Sequence, residues 1–296
     1  RAYEMGVSDY INRPFDAGVV HRRVYNTIKL YAKQRRLITL ITNQVYEKEK
    51  NNRMMVGILS QIVEFRNGES GSHVLNINIF TGMLLESLVQ KTDKYNITWS
   101  ERLLITTASA LHDIGKIGID DKILNKPGRL TDEEFKIMQN HTIIGASILE
   151  NIGSYQDEEL MKVAYQICRW HHERYDGKGY PRQLAGIEIN EYASIVAIAD
   201  VYDAMTSNRI YRKGICPFTV ISMFEKEKDL YNPHYLYLFM KRLVEAYVNT
   251  EVILSNNERG KIVLLNQNLL SRPVVITDKK TYDLSRDFSV DITALI

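Results

Sequence analysis

Cysteine is scarce in this chain, whose 296 residues carry only Cys168 and Cys216. The two are far apart and form no paired metal or redox spacing, which fits a reducing cytoplasmic setting. An excess of one charge is missing too: 38 Lys and Arg stand against 36 Asp and Glu, a net +2, and give no reason to expect a nucleic-acid polymer or a membrane as partner. No apolar run approaches the ~18–20 residues that span a bilayer. There is no secretory-type N-terminus and no glycine loop of the kind that cradles a nucleoside triphosphate. The chain opens on Arg1 instead of Met and is expected to be a piece of something longer. The rest, 45% hydrophobic and 25% charged, is ordinary for a globular protein able to bury a substantial core.

Patterning divides the chain into four parts. Residues 1–16 include Gly6-Val7-Ser8-Asp9-Tyr10-Ile11-Asn12-Arg13-Pro14-Phe15 and read as a helix end, a short strand and a turn broken by Pro14. Residues 17–66 contain no proline and read as one long helix. Stepping by threes and fours through Val24, Ile28, Tyr31, Ile38, Val45, Val56, Leu59 and Val63 traces a mostly apolar line with its polar positions in the middle. It fits a coiled-coil seam, or else a helix packed along its own domain. Residues 67–249 are mainly helical and hold every candidate ligand. Leu103, Leu104, Ala108 and Leu111 keep helical spacing up to His112, and Thr131-Asp132-Glu133-Glu134 is a capping box opening the helix expected to carry His141. Residues 160–172 and 191–207 read as further amphipathic helices. In residues 250–296 short apolar runs at Val252–Leu254, Ile262–Leu265 and Pro273–Ile276 alternate with turn residues. The expected architecture is therefore mainly α, a helical bundle with a long N-terminal linker helix and a small C-terminal β-rich appendage.

Five of the seven histidines fall in one ordered series with acids: Glu69 and His73, His112-Asp113, His141, His171-His172 and Asp200. Glu69 and His73, four apart, share a face if the segment is helical, although Gly68 and Gly71 weaken the helix there. His112-Asp113 is a weak signal alone. The glycines of Ile114-Gly115-Lys116-Ile117-Gly118 let the backbone turn sharply and leave Lys116 beside the pair; the plain alternative is a solvated surface lysine. His141 by itself reads as a core histidine. His171 and His172, adjacent on a helix, point about 100° apart and can serve different ions of one cluster. Asp176-Gly177-Lys178-Gly179-Tyr180-Pro181 forces a tight loop that offers the Tyr180 hydroxyl. Asp200 is an acid on an otherwise apolar helical face; a core salt bridge or a bound cation would compensate it. Imidazole and carboxylate donors suit iron, manganese or zinc and argue against copper or thiolate sites.

Taken together, His112-Asp113 and His171-His172-Glu173-x-x-Asp176-Gly177-x-Gly179-Tyr180-Pro181 resemble the HD-GYP domain of bacterial signalling, a branch of the HD phosphohydrolases. The resemblance covers about residues 67–249. It implies an all-α, HD-type helical bundle and a metal-dependent phosphodiesterase that hydrolyses cyclic di-GMP to pGpG and in some members to GMP. Carried over by position, it implies His112, Asp113, His141, His171, His172 and Asp200 as metal ligands. Glu69 with His73 matches the variant that has a third metal site. Two or three divalent transition metals, iron or manganese, are thus expected. Lys116, Tyr180, Arg209 and Arg212 match substrate-contacting positions, with Asp113 and Lys116 as the expected catalytic residues. Asn76 departs from the pattern, since many relatives carry arginine there. Asp9–Phe15 looks like the last strand and turn of a response-regulator receiver domain, with Arg13 in place of the usual lysine. A phosphoacceptor aspartate would lie upstream, so the segment is read as a receiver remnant. The long helix would be the signalling linker, which in relatives commonly helps make a homodimer, and signalling-protein partners are expected. The tail resembles the short β extension that often follows such domains.

Under this reading two nearby metals lower the pKa of a bridging water and the resulting hydroxide attacks phosphorus in line. Lys116 neutralises phosphate charge while Tyr180 and Arg209 orient the substrate. Two other readings stay open. One is a hydrolase of another cyclic dinucleotide or nucleotide phosphate, and the other a non-catalytic ligand-binding or adaptor module that uses the long helix and the tail.

Overall fold

The structure, a computed structural model, describes residues 10, 13–14, 16–66, 72–91, 95–152, 158–208 and 212–296. The strand and turn expected in residues 1–16 lie almost entirely outside the described residues. The chain divides into two compact units, Arg1–Met54 and Met55–Ile296.

In the first unit, helix α1 (Ala17–Arg66) begins where the Asp16 carboxylate accepts the Val19 amide at 3.0 Å. Its apolar side chains in this unit are open to solvent: Val24, Ile28, Ile38 and Val45 are all at least half exposed. The residues of α1 that are buried, Val56, Ser60, Val63 and Glu64, all belong to the second unit.

The second unit continues with α2 (Ser72–Lys91), α3 (Trp99–Ser109), α4 (Asp121–Leu124), α5 (Asp132–Gln139), α6 (His141–Glu150), α7 (Glu159–Trp170), α8 (Glu191–Thr206), α9 (Pro217–Lys226) and α10 (Pro233–Ala246). Their starts are written locally. Thr98 and Thr131 close capping boxes with Glu101 and Glu134, and Asn190 and Asn232 accept first-turn amides of α8 and α10. Pro217 and Pro233 occupy first-turn positions, where a missing N–H leaves no bond unmade. Helix α8 packs against α2, α7 and α10 and buries Ile195, Val196, Ile198, Ala199 and Tyr202. A helix apolar on nearly every face belongs at the centre of a bundle. Leu84, Leu85 and Leu88 of α2, Ile105 of α3, Ile167 of α7 and Phe239 of α10 fill the space around it. The expected mainly helical class is the one observed.

Three helix boundaries differ from the sequence pattern. Helix α3 stops at Ser109, short of His112. The helix opened by Thr131 ends at Gln139, where the Asn140 amide turns back to Ile137 O at 3.1 Å, and His141 starts a new helix. Helix α7 ends at Trp170 with His171 as its C-cap.

The tail forms a five-stranded antiparallel sheet of β1 (Glu251–Leu254), β2 (Arg259–Leu264), β3 (Val274–Thr277), β4 (Thr281–Asp283) and β5 (Ile292–Leu295), in the order β4-β3-β2-β1-β5. Strand alternation sends Val252, Leu254, Ile262, Val275 and Tyr282 into the same core as the helices. The first three strands fall on the apolar runs of the sequence. The last two are short, β4 with polar Thr281 and Asp283 and β5 only four residues long, and pairing with β3 and β1 defines them.

Candidate metal centre

After α3 the chain makes a tight turn and enters a 3-10 helix, Ile114–Gly118. His112 and Asp113 sit in that turn. The close approach of this segment to α6 requires glycine: a Cβ on Gly115 would lie 1.9 Å from His141 O. Beneath, a Cβ on Gly145 would lie 2.3 Å from the fully buried Cys168 thiol. Three backbone segments thus meet under the site, and its histidines project from their ends.

Each of three histidines is clamped at Nδ1 by a main-chain carbonyl: His112 by Ser109 O at 2.9 Å, His141 by Met138 O at 2.8 Å, and His171 by Ile167 O and Cys168 O at 3.1 Å. A carbonyl only accepts, so each Nδ1 carries a proton, and in the neutral ring each Nε2 keeps a lone pair. These three Nε2 atoms and Asp113 Oδ1 are buried with no hydrogen-bond partner among the described residues. Leaving a buried polar atom unmatched costs about 1–3 kcal/mol. Four such atoms close together, each able to offer a lone pair once His112 is neutral, fit a cation.

Two groups of potential ligands result, with the donor atoms of each within 4.8 Å of one another. One comprises Asp113, His141, His171 and His172; the other comprises His73, His112 and Asp200. Asp113 faces both. Its Oδ1 is 3.3 Å from His141 Nε2 and 3.9 Å from His171 Nε2, whereas Oδ2 is 3.1 Å from His112 Nε2. Asp200 Oδ1 lies 3.5 Å from His73 Nε2 and 3.9 Å from His112 Nε2. The neighbours His171 and His172 fall in the same group. Helix α7 has ended before them, so the 100° divergence of adjacent helical residues does not apply, and their rings lie 4.0 Å apart.

The electrostatics divide along the same line. Burial holds His171 well below the ordinary histidine range, helped by His172, and pushes His172 down to about 4, helped by His141. Burial also lowers His141. Their imidazoles therefore stay neutral and able to ligate. Burial opposes the charged form of His112 as well, but Asp113 and Asp200 outweigh it and lift this ring to about 9. Burial would raise Asp113, yet Lys116 and the histidines hold it well below the carboxylate range.

Lys116 Nζ is 2.7 Å from Asp113 Oδ2 with its side chain 16% exposed, so it is not a solvated surface lysine. Tyr180 is held beside the cluster: its amide donates to His172 O at 3.1 Å, and its ring is 4.8 Å from the His172 ring. Burial, with Asp113 and Asp200, raises its phenol, which stays a neutral donor. The loop behind it is fixed by buried Glu173, which accepts the Arg182 amide at 2.7 Å and the Leu184 amide at 3.0 Å. The Arg212 guanidinium donates to Met205 O at 3.2 Å and to Ala204 O, near the end of α8. Glu69 and Arg209 lie outside the described residues.

Asp203 is a participant that sequence reasoning gave no role. Its Oδ2 is 2.6 Å from His73 Nδ1, while Oδ1 accepts from Asn76 Nδ2 and Ser207 Oγ at 2.7 Å each. Burial would raise this carboxyl, but those bonds keep it ionised. A signal was available: Asp203 follows Asp200 by three residues on α8 and so shares its helical face. The departure at Asn76 is part of the same contact.

A helical bundle with a His-Asp turn and two converging ligand groups is the arrangement of an HD domain. The chain belongs to that family, whose profile matches residues 53–234. It is 36% identical to a probable cyclic di-GMP phosphodiesterase of Vibrio cholerae, across 71% of this chain and 50% of that protein. It is 34% identical to the cyclic di-GMP phosphodiesterase response regulator RpfG of Xanthomonas campestris, across 72% and 55%. It is 38% identical to the 3'3'-cGAMP-specific phosphodiesterase 2 of Vibrio cholerae, across 57% and 30%. The chain spans about half the length of the first two relatives. No helix among the described residues is long and apolar enough to cross a membrane.

Proposed function

We propose that the chain is a metal-dependent phosphoric diester hydrolase of the HD-GYP type that acts on cyclic di-GMP. The observation that carries this reading is the convergence of buried, unmatched Nε2 and carboxylate lone pairs whose outer atoms are already fixed. Asp113, His141, His171 and His172 would hold one ion and His73, His112 and Asp200 another, with Asp113 facing both and Glu69 available to a third. Divalent iron or manganese suits this nitrogen and oxygen donor set. Bound there, such ions supply Lewis acidity and an activated water for cleavage of a phosphate diester.

The chain's own residues then have distinct roles. Lys116, held at Asp113, places a fixed positive charge beside the ions for the phosphate oxygens. Tyr180 offers an un-ionised hydroxyl for orientation, and Arg209 and Arg212 are assigned to substrate. The product of this reading is linear pGpG, with GMP following only where a second cleavage occurs. Residues 67–249 are taken as the catalytic domain, preceded by a receiver remnant (1–16) and the linker helix (17–66) and followed by the β-rich extension (250–296). The half-exposed apolar side chains of α1 suit a homodimer through that helix, in a cytoplasmic signalling protein with further signalling partners.

The test is metal content per chain by elemental analysis on protein purified anaerobically, paired with cyclic di-GMP turnover on the same sample. Two or three iron or manganese ions with linear product are expected. Stoichiometric metal without turnover directs the search to another cyclic dinucleotide, a reading favoured by the 38% identity to a cGAMP-specific relative. No stoichiometric metal after reconstitution would overturn the catalytic reading.

A further inference from the structure

The residue that closes α1 is attached to the turn that carries the HD pair, although some 50 positions separate them in sequence. Arg66 Nη1 is 3.3 Å from Lys116 O and also donates to Ile117 O, while Nη2 donates to Ile119 O at 2.8 Å and lies 3.0 Å from Asp121 Oδ1. Asn125 Nδ2 in turn donates to Arg66 O at 3.0 Å. The carbonyls at the end of a short 3-10 helix lack partners within it, and the negative end of its dipole favours a cation. A guanidinium fork reaches several such carbonyls at once, which an ammonium cannot.

The opposite side of the turn is blocked by α6, where a Cβ on Gly118 would lie 2.9 Å from Ile144 Cγ2. The segment is thus gripped between α6 and Arg66. A second contact lies further back along α1: Ser60 Oγ is 2.7 Å from Ala110 O, just before His112, and shares its one proton with Val56 O at 2.9 Å. The end of α1 therefore holds the backbone on both sides of His112-Asp113.

We propose that Arg66 is a positioning residue for Lys116 and Asp113, and that through it the end of α1 sets the geometry of the metal centre. Any shift of this helix end moves the carbonyls of residues 116–119 and with them the lysine that sits on the ligand carboxylate. Only the kinetic arm of the test rests on the phosphodiesterase reading.

The experiment uses the full chain with Arg66→Ala, Arg66→Lys, Lys116→Ala and the Arg66→Ala/Lys116→Ala pair. In kcat/KM for cyclic di-GMP, Arg66→Ala is expected to cost about tenfold in the parent and less than about twofold on top of Lys116→Ala. Hydrogen–deuterium exchange of the amides at residues 115–119 should speed up about tenfold in Arg66→Ala, with the β-sheet unchanged. Arg66→Lys should fall between the two, since charge survives and the fork is lost. Costs that multiply in the double variant, or exchange that rises evenly across the unit, would overturn the proposal and leave Arg66 a general stabiliser. If the parent shows no turnover, the cyclic di-GMP reading fails, and the exchange arm still decides whether the clamp exists.

Discussion

The two ligand groups are oriented by different kinds of partner. In the group of Asp113, His141, His171 and His172, the Nδ1 clamps are main-chain carbonyls at the end of α5 and in the last turn of α7. Such clamps come with the fold, carry no charge, and survive any substitution of the residue that supplies them. In the other group His112 is likewise held by the Ser109 carbonyl, but His73 is clamped by a carboxylate, Asp203, itself steadied by Asn76 and Ser207. That clamp makes the imidazole a stronger donor, but it depends on side chains and one change can remove it. The clamps of the first group come from topology alone, whereas the second adds one that depends on sequence.

The largest expected effect comes from Asp113, which lies in one group and also faces the other. Asp113→Asn keeps the volume and removes the charge that faces each group, so metal content should fall at both and turnover drop by about a thousandfold or more. Elemental analysis and initial rates check it; loss from one group alone would break the picture of a shared carboxylate. Asp203→Asn tests the side-chain clamp. It should weaken metal binding at the His73 group by about 10- to 100-fold and leave the four-residue group loaded, as read by metal titration.

Proton competition gives a subtler contrast. His112, lifted to about 9, is protonated at neutral pH in the metal-free protein and must release a proton to ligate. Affinity at its group should therefore climb about tenfold per pH unit towards 9. His172, held down to about 4 by burial, is already neutral, so its group should bind with nearly constant affinity from pH 6 to 9. Manganese titrations across that range would show one sloping and one flat affinity. The smallest effect should follow Thr131→Ala, which removes the N-cap of the helix leading to His141. A loss of about 1 kcal/mol in thermal or urea denaturation is expected, with metal content unchanged because the Met138 carbonyl clamp belongs to the backbone.

Much of this site could be read from residue types and spacing. Taken singly, the His-Asp pair is a weak signal, His141 reads as a core histidine and Asp200 fits a salt bridge; the joint motif marked them as donors, and the structure brings them together with the histidine doublet from α6, α8 and the turns that follow α3 and α7. Capping boxes at Thr98 and Thr131 are local events, settled within four residues, as are the apolar runs that became β1, β2 and β3. The less legible features depend on contacts distant in sequence. Asp203 has meaning only once α2 lies against α8, Arg66 only once α1 ends beside the 3-10 turn, and β5 only by pairing with β1. The pairing of His171 with His172 in one group was hidden by a helix end two residues earlier than the pattern suggested.

The buried thiol under the site has a practical consequence. Cys168 is fully enclosed, and burial, together with Asp113, raises its pKa far out of the reactive range, whereas Cys216 is half-buried. A thiol-specific label should therefore modify Cys216 first, and Cys168 only in molecules whose α6–α7 packing has opened. The rate of that second labelling event is a chemical clock for opening of the floor of the centre, readable by mass spectrometry on the unaltered chain.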